Sequence, residues 1–224
     1  SIMINEGANL GSNGIANNSN IGTFIVNESV SYNGNGNDRI TQALEVAKGK
    51  TLTIGNSGTL YFNSTTNGTI DNAGTIAGNL SNVSNSTLGT FINSGTINGN
   101  INNEGTITSI DNSGVITGEI VSGSNGQTSQ IDKIINTGTI GTAKTKVATF
   151  KTLVASNQDA SSNFSDAISL NTITTTEISN GGLINGNIRV KGQSDIQELN
   201  NTNTIDGCII LEGGRIGNIN NTNG

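Results

Sequence analysis

Apolar positions along the chain come in short groups, separated by Asn, Gly, Ser and Thr. The dominant unit is Ile-x-Asn-x-Gly-Thr-Ile, often continued as x-Gly-x-Ile. Two clear copies are Ile70-Asp71-Asn72-Ala73-Gly74-Thr75-Ile76-Ala77-Gly78-Asn79-Leu80 and Ile110-Asp111-Asn112-Ser113-Gly114-Val115-Ile116-Thr117-Gly118-Glu119-Ile120. Between them lie Ile92-Asn93-Ser94-Gly95-Thr96-Ile97 and Ile101-Asn102-Asn103-Glu104-Gly105-Thr106-Ile107. Later copies begin at Ile135, Ile178 and Leu199, and a partial one at Ile219. Alternation of apolar and polar residues over so few positions predicts short half-buried strands, and Gly and Asn between them predict tight turns. In 75–80 the inward set is expected to be Ile76, Gly78 and Leu80, along one strand.

The marker residues Asn72, Asn93, Asn112 and Asn136 stand 21, 19 and 24 positions apart, and Asn180, Asn201 and Asn221 stand 21 and 20 apart. A half-step of about 10 also runs through Asn103. A period of about 20 is too short for most paired-helix repeats, and the Leu-x-x-Leu-x-Leu frame of a leucine-rich repeat is missing. It fits one coil of a right-handed parallel β-helix, an all-β solenoid. Equivalent Ile residues would then stack roughly 4.8 Å apart, building a continuous core without large aromatics. The six repeat corners Asn72, Asn93, Asn112, Asn136, Asn180 and Asn201 would hydrogen-bond rung to rung. Their Asn-x-Gly turns are expected to use unusual backbone angles.

The chain reads as one solenoid segment over 1–224. Residues 39–62 contain a stretch with some helical character at 43–48, but alternation resumes at Thr51, so strand, turn at Gly49 and strand are expected. Residues 63–144 hold the most regular coils, interrupted by a polar loop at 122–130. The pattern breaks over 145–170, where Val147, Phe150 and Val154 have helical spacing and 156–165 is polar. That stretch is expected to be an inserted loop or short helix on the solenoid, with coils resuming near Ile173. Long insertions often carry function, so Lys146, Phe150, Lys151 and Asn157 are candidates for contact with a partner.

Composition supports this picture. The chain has 31 Gly, 38 Asn, 31 Ile and 29 Thr, more than half of its 224 residues, and no Pro, which cannot donate to a ladder paired on both sides. Regular Ile argues for order rather than the disorder that Asn and Gly would otherwise suggest. Ten Lys and Arg, scattered in a chain of net charge -6, do not form the basic stripe that nucleic acid needs. No apolar run is long enough for a membrane-spanning helix. No signal peptide opens the sequence, which starts in mid-pattern and is therefore expected to be a fragment. Cys208 is alone, in an apolar setting that predicts a buried thiol.

Little of the sequence points to chemistry. Without His there is no Ser-His-Asp triad, no Cys-His dyad and no His metal ligand. No phosphate-binding loop or calcium repeat occurs, so no cofactor and no metal are expected. Carbohydrate-active solenoids need carboxylates gathered on adjacent coils. Asp71 and Asp111 share a repeat position with Ile92 between them, and Arg189, Arg215 and Glu212 fall near one another in the C-terminal coils. Solvated surface charge accounts for these equally well. The Gly-Thr-Ile threonines at 75, 96, 106 and 139 read as single outward residues beside corners, which does not make an ice-binding face.

The Asn-x-Gly-Thr-Ile-x-Gly-x-Ile repeat, with Val46-Ala47-Lys48-Gly49-Lys50-Thr51-Leu52-Thr53-Ile54, resembles passenger domains of type V autotransporters, above all the vacuolating-toxin-like ones of Helicobacter and Campylobacter relatives. The resemblance covers most of 43–140 and 173–224. It implies export, display at the bacterial surface through an outer-membrane translocator outside these residues, and action as an adhesin or virulence factor. The partner it implies is a host-cell protein or glycan, or a second bacterial copy. A carbohydrate-active β-helix and a phage fibre segment are the alternatives.

Overall fold

In the computed structural model, residues 1–11, 13–17, 19–34, 38–55, 58–123, 129–142 and 165–222 are described. They form a right-handed parallel β-solenoid of about 9 turns, with roughly 21 residues per turn and no helix. Each regular turn contributes three strands, one to each of three stacks, and the strands within each stack pair in parallel.

The first stack holds the long strands, such as Gly68–Asn72, Thr87–Asn93, Thr106–Asn112 and Gln130–Asn136. The second holds short ones that follow each Asn corner, including Thr75–Ala77, Thr96–Ile97 and Val115–Ile116. The third includes Asn79–Asn82, Ile101–Asn103 and Ile120–Ser122. The strand Arg39–Val46 turns from the third stack into the first. Arg39 and Ile40 pair with Tyr61 and Phe62, while Ala43 to Val46 pair with Thr69 to Asn72.

Three apolar columns fill the interior. Leu44, Ile70, Phe91, Ile110, Ile134, Ile178 and Leu199 succeed one another in register on the first stack, and all are buried. Leu52, Ile76, Ile97, Ile116, Ile140 and Ile184 do the same on the second. Leu60, Leu80, Ile101, Ile120, Ile168 and Ile188 complete the third. A single turn cannot cover its own Ile side chains. Burial, and hence most of the stability, comes from the neighbouring rungs.

Several sequence expectations hold and several need correction. Residues 39–54 are strand, turn and strand, and Gly49 takes φ +76 at the turn. Ile76 and Leu80 are inward as expected, but they lie on two different stacks. Gly78 makes the bend between them at φ +151, where an added Cβ would fall 2.5 Å from Ile54 Cβ. The coils resume at Asp166, not near Ile173, because Asp166–Asn171 pairs with both Ile120–Ser122 and Asn187–Lys191. The expected insertion therefore ends too late as 145–170. Its residues 145–164, with Lys146, Phe150, Lys151 and Asn157, lie outside the described residues, as do 124–128 of the loop expected at 122–130.

Candidate functional site

The six corner asparagines come together as one buried column. Nδ2 of Asn72 donates to Oδ1 of Asn93 at 2.7 Å, and the same bond repeats from Asn93 to Asn112 (2.7 Å) and from Asn112 to Asn136 (2.8 Å). It continues from Asn136 to Asn180 (2.8 Å), Asn180 to Asn201 (2.7 Å) and Asn201 to Asn221 (2.8 Å). Asn136 and Asn180 are 44 residues apart in sequence, yet their rung is like the others. Nδ2 also reaches main-chain oxygens. Asn112, for example, donates to Gly114 O at 3.3 Å and to Thr139 O of the next turn at 3.1 Å.

A second ladder explains the half-step of about 10 in the repeat. Asn82 Nδ2 donates to Asn103 Oδ1 at 2.8 Å, and Asn103 Nδ2 to Ser122 Oγ at 3.0 Å, which meets Ser129 Oγ at 3.0 Å. Each turn thus has two polar corners, one after the first stack and one after the third. The Asn-x-Gly-Thr of Asn103-Glu104-Gly105-Thr106 was the available signal for it.

Both ladders are directional, because each amide donates toward the C-terminal neighbour. The first rung of each is left with an unpartnered buried oxygen, Asn72 Oδ1 and Asn82 Oδ1. Below these stand Val46 and Phe62, which offer no donor. A hydroxyl at 46 would supply one. Val46→Thr is therefore expected to leave stability unchanged or raise it by about 1 kcal/mol. Val26→Thr, one turn lower and set between Ile4 and Val46, should cost about 1–2 kcal/mol for the buried hydroxyl. Urea denaturation of the two variants compares them directly.

The corner glycines need their residue type for space rather than for backbone angle, contrary to the sequence expectation. Gly74, Gly95, Gly114, Gly138 and Gly182 do not occur among the residues with positive φ. A Cβ on Gly95 would lie 2.0 Å from Gly74 O, and one on Gly114 2.0 Å from Gly95 O. These same oxygens accept the N–H groups of Thr96 and Val115 at 2.8 Å. The corners approach so closely that only hydrogen fits between them.

Outside the ladders, the third stack gathers a charged group that sequence proximity only half reveals. Arg189 Nε donates to Asp166 Oδ2 at 2.7 Å, and its NH1 group bonds Glu212. Asn187 Nδ2 holds the other oxygen of Asp166 at 3.2 Å. Glu119, lower on the same face, has its pKa raised by burial and then by the charge of Asp166. The remaining expected charges stay apart: Arg215 pairs with Asp195, and Asp71 and Asp111 are separated by Ile92 in register. Thr75 and Thr96 align side by side on the second stack, and Thr139 is separated from them by Val115, whereas Thr106 belongs to the first stack. Cys208 is half-buried rather than buried, and its N–H donates to Asn187 Oδ1 at 3.0 Å. Among the described residues no group of three or more His, Cys, Asp or Glu is placed to hold a metal ion, and no helix is long and apolar enough to cross a membrane. No protein-family model, curated protein or solved structure matches the chain.

Two carboxyls give the fold opposite responses to acid. Glu28 is held at about 2 by the N–H groups of Ser29 and Gly7 and then by Lys50, whose Nζ lies 3.1 Å from both oxygens. Its pKa is depressed, so the stability it contributes is present above the ordinary value of 4.5 and is lost as pH falls toward 2. Glu119 has the reverse sign. Its raised pKa favours the protonated folded state, an advantage lost as pH rises through the folded value. Glu119→Gln is expected to raise the melting temperature at pH 7 and to leave it unchanged below pH 4. Glu28→Gln is expected to lower it at pH 7 and to converge on the parent near pH 2. Thermal melts across pH read both signs.

Proposed function

We propose that this chain is a stalk-forming segment of a secreted or surface-displayed bacterial passenger domain of the autotransporter type, acting by contact rather than by catalysis. The observation that carries this reading is the regular solenoid with its paired rungs. About 9 turns at the inter-strand spacing extend roughly 43 Å, which suits holding a contact surface away from a membrane. The bonding of the charged groups supports a structural role for them: Arg189 joins Asp166 and Glu212 across three successive strands of the third stack. The passenger-like repeat in the sequence supports the surface location.

In this reading the partner, a host-cell protein or glycan, is met by residues 143–164, which lie in sequence between the described residues Thr142 and Ser165. The rungs on either side close without them, since Thr139–Ile140 pairs with Leu183–Ile184 and Ile120–Ser122 with Asp166–Asn171. In the regular turn below, three residues join Ile116 to the strand beginning at Ile120. Deleting 143–164 leaves five between Ile140 and Ile168, which is enough. The deletion is expected to keep the β-sheet circular-dichroism spectrum and to change the melting temperature by less than about 5 °C. Displayed on bacteria, the parent should bind cultured epithelial cells and the deletion variant should lose at least nine-tenths of that binding. Equal binding by a folded deletion variant would refute the assignment of contact to 143–164. No binding by the parent to cells or to itself would refute the adhesive reading.

A further inference from the structure

We draw no further inference here: the strongest candidate, the open groove of mixed polarity that Leu199, Ile205, Ile209 and Ile219 line with Asn201 and Asn203 at the C-terminal end of the solenoid, carries nothing because nothing in the structure shows what covers it.

Discussion

Asn112→Asp, a single-atom change, should cost about 4 kcal/mol at pH 7. The substitution replaces Nδ2, a donor to three oxygens, with a fourth oxygen. Asn136 Oδ1 at 2.8 Å, Thr139 O at 3.1 Å and Gly114 O at 3.3 Å would all face a buried negative charge. Asn93 Nδ2, which donates to position 112 at 2.7 Å, would keep its acceptor and recover only part of the loss. Burial among oxygens raises the pKa of the new carboxyl above its unfolded value. The defect is therefore largest at neutral pH and shrinks as the group protonates in acid. Asn112→Ala, which removes the rung without adding charge, should cost about 3 kcal/mol at either pH, because Asn93 Nδ2 and Asn136 Oδ1 lose their rung partner. Urea denaturation at pH 7 and pH 3.5 separates the two variants. In a repeat fold with nearest-neighbour coupling, the turns on either side of the broken rung are also expected to unfold in separate steps.

The adjacent glycines 181 and 182 give the second large contrast. A Cβ on Gly182 would fall 2.2 Å from Gly138 O and 2.5 Å from Thr137 C, both main-chain atoms of the rung below. Nothing there can rotate away, so the ladder has to open, and Gly182→Ala should cost about 3 kcal/mol or more. At Gly181 the nearest atom is Thr202 Oγ1 at 3.6 Å, an ordinary contact, and φ is not in the left-handed region. Gly181→Ala is expected to stay within about 0.5 kcal/mol of the parent. Melting temperatures of the two proteins decide the matter. Equal losses at both positions would mean that backbone freedom, and not the closeness of successive corners, selects glycine in this turn.

That contrast marks how far the sequence could be read. The period near 20, the inward Ile columns and the Asn rungs were legible because each repeats in register, and a repeated position has one physical meaning in every turn. The bend at Gly78 was not legible: Ile76-x-Gly78-x-Leu80 alternates like one straight strand, although the chain turns a corner within it. Nor was the reason for the corner glycines, since a residue without Cβ looks the same in sequence whether it serves an angle or a gap. Residues 166–170 of the strand Asp166–Asn171 read in sequence as the end of the insertion because Asp166-Ala167-Ile168-Ser169-Leu170 has no Asn-x-Gly corner of its own. The charged group was half visible. Arg189 and Glu212 lie one turn apart, but Asp166 and Glu119 stand on opposite sides of 143–164, and only the rejoined register shows that they share a face.

Side-chain amide resonances of the ladder test the stacked register most directly. In a ¹⁵N-labelled sample, the Nδ2 protons of Asn136 should show nuclear Overhauser contacts to protons of Asn180 and Leu183, across 44 and 47 positions of sequence, and exchange with solvent far more slowly than surface amides. Fast exchange of the Asn136 amide, or contacts from it only to residues close in sequence, would contradict the solenoid described here.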